Sequence, residues 1–390
     1  MTKVSIVRCA AMFLAIGAMT GCQTNDPISP SVSGSAETSG LTDGTVRFQA
    51  GGGLFTASNA SGGNEILRYR RNLDGSLTQL PPIETGGLGT GTGLGNQGGV
   101  TVSPDESWMV AVNAGSNDIS VFRIHGLSVM LTDVEPSLGT MPISVTIHDN
   151  LVYVLNAGSP AGIQGFEVDF NGELSPIAGS AQGLSGADVG PAQIEFSPDG
   201  SILVVTEKMT NNVVTYDVAG DGTSSGPNVQ ASAGTTPFGF AITESNHVFV
   251  SEAFGGAENA SAVSSYLLTG GNLDVISPSV PTHQTAACWV AVTPDENFVY
   301  TTNTGSGSIS GYRVLADGQI ELLDADGRTG VTGDGSSPID LTISRDGRFL
   351  YALLSGSHEL ASFEIEGDGS LMPLPFVSGL PMGANGLAGF

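Results

Sequence analysis

Residues 288–314 read "CWVAVTPDENFVYTTNTGSGSISGYRV". They hold a short apolar strand, a Pro-Asp turn, a second apolar strand, a small polar loop and a third strand. The phrase returns in altered form as "QIEFSPDGSILVVTEKMTNNVVTYDV" at 193–218 and "DLTISRDGRFLYALLSGSHELASFEI" at 340–365. Six turn signals mark the repeat, beginning at Ser103, His148, Ser197, Thr243, Thr293 and Ser344. Successive starts are 45, 49, 46, 50 and 51 residues apart. A period in this range with only strand-like content predicts an all-β fold, a β-propeller. In each unit a tight turn leads from the third strand to a fourth, and that turn is often Asp-Gly or Asn-Gly, as at Asp74-Gly75, Asn171-Gly172, Asp317-Gly318 and Asp368-Gly369. Such pairs accept positive φ and match the twist of a hairpin.

Six units are complete, and a seventh is split. Residues 54–83 supply three strands without the usual innermost one, and "GANGLAGF" (383–390) reads as an orphan innermost strand. Joining the two predicts seven blades, with the C-terminal strand completing the first blade and no sheet edge left at the seam. The alternative is that "TVRFQ" (45–49) fills that place; it lacks the Pro/Gly lead-in of the other blades. The propeller is expected over 46–390. A monomer is expected.

The chain has 390 residues, 56 of them glycine, with 38 acidic against 12 basic side chains and a net charge of −26. Lys3 and Lys208 are the only lysines. Such an acidic surface repels phosphate backbones, which argues against a nucleic-acid partner, and it attracts cations.

The N-terminus departs from the repeat. Lys3 and Arg8 precede an apolar run from Cys9 to Met19, which ends in Met19-Thr20-Gly21-Cys22. The run has the layout of a secretory signal. Small residues before a cysteine resemble a bacterial lipobox, so 1–21 is read as a lipoprotein signal peptide and Cys22 as the lipidated residue. A plain secretory signal is the alternative. Residues 22–45 are rich in Ser, Thr, Gly and Pro and read as a flexible tether. This places the protein in the cell envelope, either held to a membrane through its lipid (the outer membrane in a Gram-negative cell) or in the periplasm. Cleavage removes two bases and no acids, so the mature charge is 10 − 38 = −28. It also leaves Cys288 alone, so no intrachain disulfide is expected.

In a four-stranded blade, loops between the second and third strands share one face with the blade-to-blade loops. That face collects Glu207, Lys208, Glu252, His283, Cys288 and Asn303, and its channel mouth is the expected working end. Gln193, Trp289 and Asp340 begin innermost strands and should border the channel. His125, His148 and His247 fall on the opposite face as turn residues. Glu207 and Glu252 occupy equivalent places in adjacent blades, where other blades carry Asn. Two facing carboxylates can share a proton or hold a divalent cation; equally, each can satisfy its own loop. His283, in the loop entering the sixth blade, joins them as a candidate catalytic group. Lys208, Gln193, Asn303, Trp289 and Asp340 are candidates for substrate contact. No zinc-ligand spacing, P-loop, nucleophile elbow or dinucleotide fingerprint is present, so no cofactor is predicted beyond a cation in the channel.

"FSPDGSILVVTEKMTNNVVTYDV" and "VTPDENFVYTTNTGSGSISGYRV" resemble the YVTN-type repeats of the lactonase-like seven-bladed propellers, the 6-phosphogluconolactonase and carboxymuconate-cyclase group. The resemblance covers roughly residues 50–390. It implies a hydrolase or cycloisomerase that opens or closes a lactone ring with a His, Arg and Glu set at the channel mouth, acting on a lactone or an anionic metabolite. The fourth blade begins Pro191-Ala192-Gln193 where such enzymes tend to carry histidine, and no arginine stands at the mouth. Two readings follow: a lactone-processing enzyme, and a non-catalytic envelope propeller binding a protein, glycan or cation.

Overall fold

The computed structural model describes residues 51–390. The expected signal peptide, Cys22, the tether and the 45–49 alternative lie outside the described residues. Seven antiparallel sheets follow one another, each an up-and-down meander. Four have four strands; the third, sixth and seventh carry an additional short outer strand. The described helical content is one 3₁₀ turn, Phe254–Gly256. Innermost strands run Val100–Val102, Pro142–His148, Pro191–Phe196, Pro237–Ile242, Ala287–Val292 and Pro338–Ile343 in blades two to seven. In blade one that place belongs to Asn385–Gly389, which pairs antiparallel with Gly53–Ala57 in the register Leu54 to Gly389 and Phe55 to Ala388. The tail thus seals the ring, as the split repeat predicts.

The second strand of each blade is covered on both faces by neighbouring blades, so its sequence runs continuously apolar instead of alternating. Trp108–Asn113, Ile202–Glu207 and Phe349–Leu354 are buried at every position. Outer strands alternate or are exposed, as in Leu77–Glu84. Tyrosines on second strands join blades through their hydroxyls. Tyr153 donates to Gly222 O at 2.7 Å, Tyr300 to Gly369 O at 2.8 Å and Tyr351 to Gly75 O at 2.8 Å. Each accepting glycine sits in the hairpin turn of the next blade at positive φ (76° at Gly222, 91° at Gly369, 79° at Gly75), which only a residue without Cβ adopts freely. Each such bond contributes about 1 kcal/mol and fixes the angle between blades.

Candidate active site in the central channel

The innermost strands, aligned by register, build the channel wall as stacked girdles. The middle girdle holds Thr101, Thr146, Glu195, Ala241, Ala291, Thr342 and Ala388, one from each blade, and all seven line a cavity of about 520 Å³. Six are small, and Glu195 alone is ionisable. One register toward the predicted working face lie Gly99, Ser144, Gln193, Gly239, Trp289, Asp340 and Gly386. One register the other way, about 7 Å along a strand, His148 occupies a position that the other innermost strands mostly fill with Ser or Thr.

Glu195 meets the space of the channel and is otherwise enclosed by protein. Its Oε2 accepts from Gln193 Nε2 at 2.9 Å, and a backbone N–H of Ile242 donates to the carboxyl. Burial overrides both bonds and pushes the carboxyl up to about 8. Gln193 also ties blades four and five together. Its Oε1 accepts from Phe240 N at 2.7 Å and its Nε2 donates to Phe240 O at 2.9 Å. The glutamine is therefore held in place, and with it the carboxyl.

The channel opens on the face opposite to the expected one. Its lip there is formed by Pro104, Asp105, His148, Asp149, Pro198 and Glu244. At the expected mouth, the segment Leu94–Gly98 of the loop joining blades one and two lies across the ring. Gln97 N donates to Ala192 O at 3.1 Å in blade four. Gln97 Nε2 donates to Val290 O at 2.7 Å and its Oε1 accepts from Val290 N at 3.0 Å in blade six. Trp289 Nε1 donates to Asn96 O at 2.6 Å, and Asn96 Nδ2 donates to Ile143 O in blade three. Lys208 Nζ donates to Gly95 O at 2.6 Å and stands 4.8 Å over the Phe238 ring. Asn96 and Gln97 are buried. The segment fills the top girdle and stoppers that end. Gly91, Gly95 and Gly98 take positive φ to let the chain turn inward.

The remaining candidates are thereby placed. Gln193 and Asp340 line the cavity; Glu207, Lys208, Glu252, His283, Trp289 and Asn303 do not. Glu207 is fully buried and accepts from Ser185 N at 2.9 Å, from Thr210 Oγ1 at 2.6 Å and from Ser185 Oγ. Glu252 accepts from Ser264 Oγ and Ser279 Oγ, each at 2.5 Å, while burial pushes its carboxyl up. The two acids share no hydrogen-bond partner; each ties its own blade's loops or outer strand. His283 is exposed at a φ of 56°. Asn303 donates to Ser308 Oγ and Ser310 Oγ, and its buried Oδ1 has no partner. Trp289 packs against Phe238, 4.8 Å between ring centres, besides gripping the stopper.

Asp340 is buried and caps backbone N–H groups of Leu341, Leu387 and Gly98. Burial pushes it up to about 8 against those donors. Lys208 is brought down to about 8 by burial, and the enclosed Cys288 thiol is pushed up to about 12 by burial. His148, expected as a solvated turn residue, is half-buried at the open lip, with Nε2 2.9 Å from Pro198 O and its ring 5.8 Å from Phe196. Because Pro198 O only accepts, Nε2 carries the proton.

Sequence reading did not single out Glu195. The signal was present: in the aligned phrases "VTV", "VTI", "IEF", "FAI", "VAV" and "LTI", the middle residue is Thr or Ala everywhere except at 195. No three or more His, Cys, Asp or Glu side chains gather as a metal site among the described residues.

Seven four-stranded blades around a polar channel define a seven-bladed β-propeller. Within that class, residues 260–376 match the family described as Lactonase, 7-bladed beta-propeller, and the chain resembles the lactonase-like propellers in fold over most of its length. No curated protein matches it in sequence. Among solved structures, a putative 6-phosphogluconolactonase from Bacteroides fragilis superposes with a TM-score of 0.66 at 16% identity, over 88% of this chain and 99% of that one. A protein from Lactobacillus plantarum gives 0.68 at 17% identity, over 88% and 100%. A periplasmic gluconolactonase of Pseudomonas aeruginosa gives 0.65 at 18% identity, over 86% and 98%. At such identities the likeness is one of fold.

Proposed function

We propose that the protein is an exported, lactonase-like hydrolase of the cell envelope that opens a lactone ring inside the central channel, entered from the His148 face. The observation that supports this is the single carboxyl in a girdle otherwise made of Thr and Ala, with Glu195 held by Gln193 and tuned by burial toward neutral pH. A base of that kind is matched to deprotonating water. In the step envisaged, the Glu195 carboxylate takes a proton from water while the water oxygen bonds to the lactone carbonyl carbon. The ring acyl C–O bond then breaks. The alkoxide formed takes the proton back, and a hydroxy acid leaves. The lipobox-like Met19–Cys22 stretch and the periplasmic neighbour support an envelope location.

The test is hydrolysis of a broad lactone panel by the mature protein beside Glu195→Gln. Turnover that rises with pH and levels above about 8, and falls at least about a hundredfold in the variant, is the expected outcome. No turnover across the panel sinks the reading. A second reading, a non-catalytic propeller that binds a partner on its stoppered face, is favoured by the closure of that end by Leu94–Gly98 and by the full engagement of Glu207 and Glu252 in structure.

A further inference from the structure

We propose that the channel admits uncharged and cationic ligands and turns away anionic ones, so that its lactone carries neither a phosphate nor a free carboxylate. This rests on the channel being the working site. Among the described residues no lysine or arginine lines the cavity, and His148 is the one basic side chain there. The acids at the open end come from the repeat itself. Asp105, Asp149, Asp199, Glu244, Asp295 and Asp346 stand in the first turn of blades two to seven. The turn at Asp105 shows the structural part that four of them play. Ser103 Oγ and Ser107 N donate to Oδ1 at 2.6 and 3.1 Å, and Ser107 Oγ to Oδ2 at 2.7 Å. The carboxylates of Asp105, Asp199, Asp295 and Asp346 brace their turns locally, and the radial arrangement of blades sums the six acids into a negative collar.

Four arginines on this face are already engaged. Arg71 pairs with Asp346 at 3.3 Å, Arg345 with Glu106, and Arg348 with Glu364 at 3.3 Å. Arg313 stacks 5.2 Å over Phe298 and donates to Asp368 O. Among the described residues, no lysine or arginine lines the cavity to meet a phosphate that enters it. A low-dielectric funnel of one sign focuses its field, changing encounter rates by a factor of about 10 to 1000 at low salt. Inside, an anion would meet Glu195 and Asp340 without a compensating donor charge, which disfavours it further.

The experiment measures binding without turnover. A δ-lactam sugar, a non-hydrolysable mimic of a lactone, is titrated calorimetrically in neutral, amino and phosphorylated forms, at low and physiological ionic strength. The neutral and amino forms are expected to bind, with the phosphorylated form weaker by at least about tenfold at low salt and the gap narrowing as salt rises. Asp149→Asn with Glu244→Lys should shrink the gap while leaving the neutral form unchanged; both positions are exposed, and Asn accepts the positive φ of residue 149. Tightest binding by the phosphorylated form overturns the proposal, and so does binding by none of the three. If the charge order holds while no lactone is hydrolysed, the hydrolase reading fails and the charge selection stands.

Discussion

Asp340 Oδ2 accepts the backbone N–H of Leu387 at 3.0 Å, a bond between the seventh blade and the C-terminal strand that completes the first. The same carboxyl holds Leu341 and reaches Gly98 at the base of the stopper. Ring closure and channel closure therefore meet at one side chain. Asp340→Asn leaves a single acceptor oxygen for these donors and should cost about 1–3 kcal/mol. Leu387→Ala, deep in the seam, should cost about 2–4 kcal/mol. Both are read from urea unfolding at constant m-value; an unchanged midpoint in both would show that the seam carries no stability.

Glu195 and Asp340 bear on pH dependence with a defined sign. Each is held at about 8 in the fold, above its ordinary 4.5 or 3.8. Between those values the folded state binds more protons than the unfolded chain, so stability is gained as pH falls from about 8 toward 5 and lost as pH rises through that window. Melting temperature should rise on acidification over this range, and Glu195→Gln with Asp340→Asn should flatten the profile. A flat or inverted profile for the parent protein contradicts the assignment.

Glu207 and Glu252 are predicted to be matters of stability. Glu207→Gln turns an amide toward donors from Ser185 and Thr210 and should lower stability by about 1–3 kcal/mol. Glu252→Gln does the same to Ser264 and Ser279. Thermal unfolding of each variant checks this.

The stopper depends on a missing side chain. A Cβ on Gly239 would stand 2.1 Å from Gln97 Oε1 and 2.6 Å from the Cys288 carbonyl oxygen. Gly239→Ala should therefore displace Gln97 from Val290. Faster hydrogen exchange at the amides of Gln97 and Val290, with protection in the outer blades unchanged, is the expected result.

Cys288, enclosed beneath the stopper with its thiol pushed up to about 12, should not react with a thiol reagent at pH 8 while the protein is folded. It should react at once in denaturant. Rapid labelling of the native protein would mean that the segment opens readily.

Much of the fold was legible. The turn signals at Ser103, Ser197 and Thr293, the continuously apolar second strands and the orphan "GANGLAGF" lead directly to seven blades and a sealed seam, because each rests on local chemistry: turn residues, strand periodicity, and the cost of an unpaired edge. Even the face on which each loop falls follows from counting strands.

The site was legible only in part. Gln193 and Asp340 could be put at the channel because they start innermost strands. Glu207 and Glu252 were put near one another, yet no local rule says whether a carboxylate at a strand end meets solvent or its own loop; Ser185, Thr210, Ser264 and Ser279 settle that from 3 to 27 residues away. The glycine-rich stretch 86–99 gave no periodic signal at all, and its path across the ring follows from partners in blades three, four and six.

The sequence alone, then, determined the number of blades, the order of strands and the strand that seals the ring, since these are written in short-range patterns repeated along the chain. Tertiary structure alone decided which end of the channel is open and which carboxyl faces its space. Both depend on side chains from several blades converging on one axis, and distance from that axis is not encoded in any single repeat.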